Sequence, residues 1–331
     1  MKILGIETSC DETSCAVVKN GAEVLSLSLV SQQDVHSKYG GVIPELGARM
    51  HIENISAIYQ EALRMASLTI TDIDAIAVTQ TPGLAPALKA GIAFAKGLSY
   101  SSKLPLVGID HIKAHAYSLF LAQSHKAPTF PIVILTVSGG HTKLIVYKAV
   151  NDYKEYGTTI DDAAGEAFDK VARMLTLGYP GGPIIDKISI NGDETAIDFP
   201  RPMLDSNNFN FSFSGLKTAV LYYLRDKKIA PQLKKTDNPN KEYMRFLTYD
   251  IAASFQEAVV DTLVSKTIRL AQKLNIKQIG ITGGVSANTR LQEKMVRVAQ
   301  KNNFDVFFPD LTYCTDNAAM IAGLAYHQLD L

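Results

Sequence analysis

Pro131-Ile-Val-Ile-Leu-Thr-Val-Ser-Gly-Gly-His-Thr-Lys-Leu-Ile-Val-Tyr-Lys-Ala-Val150 is the stretch whose reading decides the fold. Pro131–Val137 reads as a buried strand, Ser138-Gly-Gly-His141 as a turn, and Thr142–Val150 as a returning strand. The chain opens on the same plan in different letters. Lys2–Thr8 is a strand, Ser9-Cys-Asp-Glu-Thr-Ser14 a polar turn, and a second strand begins at Ala16–Val18. A third runs over Glu23–Val30, where Leu25, Leu27 and Leu29 alternate with serines. Each half then continues with a helix, a strand and a glycine turn. In the first half, Glu45–Ser67 places Ile52, Ile55, Tyr59, Ala62, Leu63 and Ala66 at helical spacing, and the strand Ile73–Thr79 ends in Gln80-Thr-Pro-Gly83. In the second, a helix over Tyr249–Leu274 leads to Gln278-Ile-Gly-Ile-Thr-Gly-Gly284. Two such halves read as a duplicated α/β unit, two lobes with a central cleft. Ligands of α/β sheets sit at the carboxyl ends of strands, where the polar and glycine turns fall.

Composition narrows the function classes. In 331 residues, 47% are apolar and 20% charged, a globular balance that argues against extensive disorder. Formal net charge is zero, so a nucleic-acid partner must be held by a local basic patch or a helper subunit. Cys10, Cys15 and Cys314 are too few and too dispersed for a disulfide framework, which points to a reducing compartment. Glu7 interrupts the N-terminus before a signal-peptide core can form, and the apolar runs Ile132–Val137 and Gly91–Ala95 are too short to span a bilayer. A soluble cytoplasmic protein with no membrane association is expected.

Several short stretches carry chemistry. His111-Ile-Lys-Ala-His115 follows the strand Pro105–Ile109 and opens a helix, so both imidazoles share one face. The spacing suits one metal ion, or two ordinary helix histidines. The zincin pattern needs Glu after its first His, and here that position is Ile112. Asp316, before an apolar helix, reads as an N-cap or as the carboxylate completing a His-His-carboxylate set. Thr136-Val-Ser-Gly-Gly140 suits a phosphate loop or a hairpin turn. Gly283-Gly284, followed by Val285-Ser-Ala-Asn288 and a helix, leans to phosphate or ribose binding. Tyr179-Pro-Gly-Gly-Pro183 is a third such turn, with Asp186 in reach of a sugar hydroxyl. Asp162, Glu166 and Asp169 fall on one helical face, where they complement a helix dipole or face a cation or ligand hydroxyls. Asp11 and Glu12 pose the same question. Phe209-Asn-Phe-Ser-Phe213 alternates like a strand with one aromatic face, the alternative being base stacking. Arg225–Tyr243, with Lys227, Lys228, Lys234, Lys235 and Lys241, reads as a basic loop, either solvated surface or a nucleic-acid contact.

Taken together, these stretches resemble the tRNA adenosine threonylcarbamoyltransferase (TsaD) family over nearly the whole chain. The carrying segments are Gly5-Ile-Glu-Thr-Ser-Cys-Asp-Glu-Thr13, the His111/His115 pair, Val137-Ser-Gly-Gly-His-Thr142, Asp162-Ala-Ala-Gly-Glu-Ala-Phe-Asp-Lys-Val171, Tyr179-Pro-Gly-Gly-Pro183, Phe211-Ser-Phe-Ser-Gly-Leu-Lys-Thr218, Gly283-Gly-Val-Ser-Ala-Asn288 and Cys314-Thr-Asp-Asn-Ala-Ala319. The resemblance implies the α/β actin/hsp70/sugar-kinase-like (ASKHA) fold. One lobe would span residues 1–109, completed by a C-terminal helix at 317–331, and the other residues 110–316. It implies one divalent metal, iron(II) in preference to zinc, held by His111, His115 and Asp316. It implies that Thr136, Val137, Ser138, Gly139, Gly140, Asp169, Gly182, Asp186 and Asn288 line the substrate site. Members often carry Met-Glu inside the His pair, where this chain has Ile112-Lys113.

The implied reaction moves a threonylcarbamoyl group from threonylcarbamoyl-AMP to the exocyclic amine of the adenosine beside certain tRNA anticodons. That donor is a mixed anhydride and already activated, so no Ser or Cys nucleophile is needed. An aromatic amine attacks weakly, and Asp11 and Glu12 are the candidate bases. The implied partners are tRNA, a TsaB-like inactive paralogue and a TsaE-like ATPase, with a TsaC-like enzyme making the adenylate. A sugar kinase or ATPase of the same fold leaves the histidines and Asp316 idle, a metallopeptidase lacks its base at Ile112, and a non-catalytic scaffold requires neither.

Overall fold

Lys2–Glu7 (β1) is the central strand of the first sheet in the computed structural model, which describes residues 1–121, 127–229 and 241–329. Its neighbours are Glu12–Lys19 (β2), Glu23–Ser31 (β3), Ala75–Thr81 (β4) and Leu106–Asp110 (β5), in the order β3-β2-β1-β4-β5. β1, β2 and β3 form an antiparallel meander, and β4 and β5 extend the other side in parallel. The second sheet comprises Ile132–Val137 (β6), Thr142–Ala149 (β7), Asp152–Thr158 (β8), Gln278–Thr282 (β9) and Asp305–Phe307 (β10), in the order β10-β9-β6-β7-β8. β6, β7 and β8 are again an antiparallel meander, and β9 and β10 again add in parallel. The duplication read in the sequence is therefore a duplication of sheet topology.

The helices are Gln33–Ser37 (α1), Pro44–Met65 (α2), Ala85–Ser102 (α3), His111–Tyr117 (α4), Ala164–Met174 (α5), Gly181–Ser189 (α6), Ser214–Asp226 (α7), Lys241–Leu274 (α8), Thr289–Lys301 (α9) and Ala318–Ala325 (α10). α2 starts with Pro at its first position and buries Gly47, His51, Ile55, Ile58, Ala62 and Leu63, a stripe three and four residues apart. α10 has no such stripe because every one of its residues is buried. It packs on β1, β2 and β4, and the approach depends on Gly5. A Cβ there would overlap the Ala318 carbonyl oxygen and lie 2.9 Å from the Ala322 Cβ. α8 is long but carries Glu257, Asp261, Lys266, Arg269 and Lys273. Among the described residues no helix is long and apolar enough to cross a membrane, and all three cysteines are free.

Two compact units emerge, Met1–Pro128 with Phe308–Leu331, and Thr129–Phe307. The boundaries differ from those expected at 109/110 and 316/317. The reason is that α4 belongs with what precedes it, packing on α10 and beside β4 and β5. Tyr117 at its end donates its hydroxyl hydrogen bond to the Gly21 carbonyl at 3.0 Å, and Leu119 and Leu121 are buried.

Two further expectations are corrected. Phe209, Phe211 and Phe213 are buried, but the segment pairs only through an isolated bridge between Phe211 and Thr159 and forms no strand. Its alternation comes from an extended chain laying aromatic rings into a core, with Phe211 and Phe213 stacked at 6.2 Å, which leaves no exposed face for a base. In the basic stretch, Arg225, Lys227 and Lys228 are exposed at the end of α7, and α8 begins at Lys241 rather than Tyr249. Lys234 and Lys235 lie outside the described residues.

Candidate metal centre and glycine turns

α4 begins directly after β5, and the Asp110 carboxylate caps it by accepting from the Lys113 N–H at 3.0 Å. The helix therefore starts at His111, and His115 lies one turn on with its ring centroid 4.5 Å from that of His111. Ile112 is buried in the core, which accounts for an apolar residue at the position where a zincin carries its base. Asp316 arrives from 201 positions away, at the start of α10. It does not cap that helix. Asn317 does, accepting from the Met320 N–H at 3.1 Å, so the Asp316 carboxylate is turned toward the histidines. Asp316 Oδ1 lies 2.9 Å from His115 Nε2 and 3.4 Å from His111 Nε2.

Burial opposes charge on His111, but the carboxylates of Asp316 and Glu7 overcome it and hold its pKa well above the ordinary imidazole value. Burial likewise opposes ionisation of Asp316, and the two histidines hold it well below the usual carboxylate range. The donor set fits a metal. Two imidazole nitrogens and one carboxylate oxygen lie within 4.8 Å of one another at a largely buried place, and that composition suits iron(II) or zinc.

Glu7 was not singled out from the sequence, although a carboxylate ending a buried strand is its signal. It is wholly buried. Its Oε1 accepts from the Ser9 N–H at 2.5 Å, and its Oε2 accepts from the Thr79 hydroxyl at 2.6 Å and faces His111 Nδ1 at 3.0 Å. Ser9 Oγ also lies 3.2 Å from His111 Nδ1. Serine and carboxylate thus compete for one ring nitrogen, whereas a nucleophilic triad uses one nitrogen for each.

Asp11 stands in the turn from β1 into β2, and Glu12 is the first residue of β2. Burial raises the Glu12 carboxyl well above its ordinary value, reinforced by the charges of Asp11, Asp316 and Glu7. The same burial and neighbouring charge push the Cys10 thiol up.

The second unit holds the other expected residues, where β6 and β9 end side by side. The hydroxyls of Thr136 and Thr282 are 3.1 Å apart across that parallel pair. Gly283, at φ +88°, lies against Val137, where a Cβ would come within 2.5 Å of the carbonyl oxygen. The Ser138–Gly140 turn abuts the start of α5 through a Gly165 N–H to Ser138 carbonyl hydrogen bond of 3.2 Å. Asp169 accepts from the Gly181 N–H at 2.7 Å, ahead of Gly182. Asp186 accepts from the Thr289 N–H at 3.0 Å and its hydroxyl at 2.9 Å, and Asn288 caps α9 through the Leu291 N–H at 2.9 Å. Built Cβ positions at Gly139, Gly140, Gly182 and Gly284 meet nothing within 4 Å, so these backbones border open space. The acidic set is altered. Asp162 precedes α5, and its charge is met by Lys170 at 2.7 Å and Lys217 at 2.8 Å, while Glu166 pairs with Lys170 at 2.7 Å. The chain's own lysines supply the cations those carboxylates called for.

A family model for tRNA N6-adenosine threonylcarbamoyltransferase, TsaD, matches residues 23–323. The chain is 50% identical over 326 residues to the tRNA N6-adenosine threonylcarbamoyltransferase of Thermosipho africanus, covering 98% of this chain and 94% of that protein. It is 48% identical over 329 residues to the enzyme of the same name from Caldicellulosiruptor saccharolyticus, covering 99% and 93%. Among solved structures, HypF of T. kodakarensis matches with a TM-score of 0.65 at 12% identity, over 99% of this chain and 48% of that one. At that identity the likeness is one of fold, and it agrees with the duplicated actin/hsp70/sugar-kinase-like α/β architecture.

Proposed function

Because the chain belongs to the tRNA N6-adenosine threonylcarbamoyltransferase family and is a transferase, we propose that it moves the threonylcarbamoyl group of threonylcarbamoyl-AMP onto tRNA. The acceptor is the exocyclic amine of adenosine 37, 3′ to the anticodon, in tRNAs reading codons that start with A, and AMP is released. The observation that carries this reading is the convergence of His111, His115 and Asp316 from distant parts of the sequence. A divalent metal, iron(II) or zinc, would be held by these three side chains, and when bound it supplies a Lewis acid for a phosphoryl or carbonyl oxygen.

The remaining chemistry falls to the chain. The donor is an activated anhydride, which agrees with the absence of a wired serine nucleophile at Ser9. Thr136–Gly140 with Gly182 offers backbone N–H groups to phosphate oxygens; Asp169 holds the Gly181-Gly182 turn, and Asp186 and Asn288 hold the start of α9 after the Gly283-Gly284 turn. Asp11 or Glu12 accepts the proton of the attacking amine. With no net charge, the chain relies on a TsaB-like paralogue and a TsaE-like ATPase to engage tRNA, with the adenylate delivered by a TsaC-like enzyme. The proposed compartment is the cytoplasm, where that tRNA is.

The test is mass spectrometry of nucleosides digested from tRNA incubated with threonylcarbamoyl-AMP, this protein and both partners. Threonylcarbamoyladenosine is expected with the unaltered chain, and its formation should fall by at least 100-fold, a loss typical of removing a catalytic metal ligand, with His115→Ala. No product with every partner present would overturn the proposal.

A further inference from the structure

The environments of the two imidazoles are unequal. His115 Nδ1 is buried and has no hydrogen-bond partner among the described residues. His111 Nδ1 instead faces the Glu7 carboxylate, itself wholly buried and fixed by the Ser9 N–H and the Thr79 hydroxyl. Carboxylate burial is costly, and among the described residues no lysine or arginine pairs with Glu7. Among the described residues, the one titratable side chain hydrogen-bonded to it is His111. A carboxylate serving only the fold would be replaceable by an amide of the same shape, because the amide oxygen accepts from the Ser9 N–H and the Thr79 hydroxyl can turn to accept from the amide nitrogen. What an amide lacks is the negative charge and the acceptor oxygen behind the imidazole.

We propose that Glu7 is the positioning residue of the metal centre: its carboxylate takes the His111 Nδ1 proton as a hydrogen bond, so that Nε2 is the nitrogen left on the Asp316 side to ligate an ion. This rests on the metal reading of His111, His115 and Asp316. Two consequences follow from the chemistry of an imidazole. The hydrogen bond fixes the ring's rotation and keeps a proton on Nδ1, which leaves Nε2 for the ion, and the carboxylate charge strengthens Nε2 as a donor. His111 is then the prearranged ligand, and His115, whose Nδ1 has no such support, is oriented by helix packing and by Asp316 on its Nε2 side. The path from β1 to the metal centre is short: Glu7 is the last residue of the central strand, Thr79 lies near the end of its parallel neighbour β4, and His111 follows β5. Three adjacent strand ends thus build one support.

The experiment is zinc affinity, measured by competition with a chromophoric chelator on the metal-stripped full-length chain, for the unaltered protein, Glu7→Gln and Asp316→Ala. Glu7→Gln keeps an acceptor oxygen for the Ser9 N–H, places an NH2 group toward Thr79 and His111, and removes the charge. Its zinc dissociation constant is expected to rise about 10- to 100-fold, as for lost outer-shell partners of metal-bound histidines. The urea midpoint of the stripped protein reports separately on the fold and is expected to be nearly unchanged. Equal zinc affinity in Glu7→Gln and the unaltered chain overturns the positioning role while leaving the metal centre standing. Failure of the unaltered chain to bind zinc more tightly than Asp316→Ala overturns the metal reading itself. Should Glu7→Gln fold poorly, ¹⁵N spectra of the zinc-loaded unaltered protein decide the matter. Zinc on Nε2 of His111 with a proton on Nδ1 supports the proposal, and zinc on Nδ1 overturns it.

Discussion

Asp316 and Asn317 stand side by side and divide two tasks that the sequence offers as alternatives for Asp316. Asn317 is wholly buried, caps α10 through Met320, and donates through Nδ2 to the Thr315 carbonyl at 2.8 Å. Asp316 makes no cap and faces the histidines. The two alanine variants should therefore separate stability from metal binding. Asn317→Ala is expected to lower the unfolding free energy by about 1–2 kcal/mol, the loss of a cap and a buried hydrogen bond, and still to take up zinc. Asp316→Ala should lose zinc uptake and transfer activity together. Urea melts and metal analysis of the two proteins check this, and equal zinc loss in both would contradict the division. A short polar side chain before an apolar helix signals a cap, but not which of two neighbours provides it. That choice depends on where the histidines lie in space.

At the scale of elements, a chain of hydrogen bonds joins α1 and α2 to the turn that carries Asp11 and leads into Glu12. The Ile43 N–H donates to His36 Nδ1 at 3.4 Å, and His36 Nε2–H donates to Gln32 Oε1 at 3.1 Å. Gln32 Nε2 donates to His51 Nδ1 at 3.2 Å, and His51 Nε2–H donates to the Cys10 carbonyl at 3.0 Å. The directions are consistent only when both histidines are neutral, with their protons on Nε2. Burial lowers the His51 pKa below its ordinary value, partly offset by the Cys10 carbonyl. The unfolded chain therefore binds this proton more readily than the folded one. The contribution of His51 is fully present above its ordinary value near 6.5 and is lost as pH falls below it. His51→Gln should be less stable than the unaltered chain by about 1–3 kcal/mol at pH 7.5, since the Cys10 carbonyl or the Thr13 hydroxyl, 2.8 Å from His51 Nδ1, loses a partner. The gap should narrow between pH 6.5 and 5. Urea midpoints across that range test it, and a constant gap would rule out His51 as the titrating group. None of this network was legible, because its members are spread from Cys10 to His51 and follow no spacing. Most strands were legible because buried strands are written as apolar runs. β8 and β10 were not, since β8 is polar and largely exposed and the three residues of β10 make too short a run to stand out.

At the scale of the whole molecule, the repeat is visible in the sequence because each half must bury its own sheet, whereas the division between units is set by packing. The second unit, Thr129–Phe307, is continuous in sequence and contains all of β6 to β10. The first is not: it needs Phe308–Leu331 to bring α10 against β1, β2 and β4. An apolar helix buried on all sides cannot be lost without exposing both itself and the sheet face it covers. Without it, Ile3, on the Gly5 face of β1 and wholly buried in the intact chain, stands in a sheet missing one cover, while Leu4 and Ile6 keep only the α2 side. A chain ending at Phe307 should therefore fold only in its second half. Hydrogen exchange on that shortened chain is expected to keep the amides of β6 and β9 protected while those of β1 and β4 exchange at least 100-fold faster than in the full-length protein. The segment 129–307 expressed alone should give a single cooperative urea transition. Full protection of β1 in the shortened chain would mean that the first sheet is stable without α10, and that the C-terminal segment serves only to deliver Asp316.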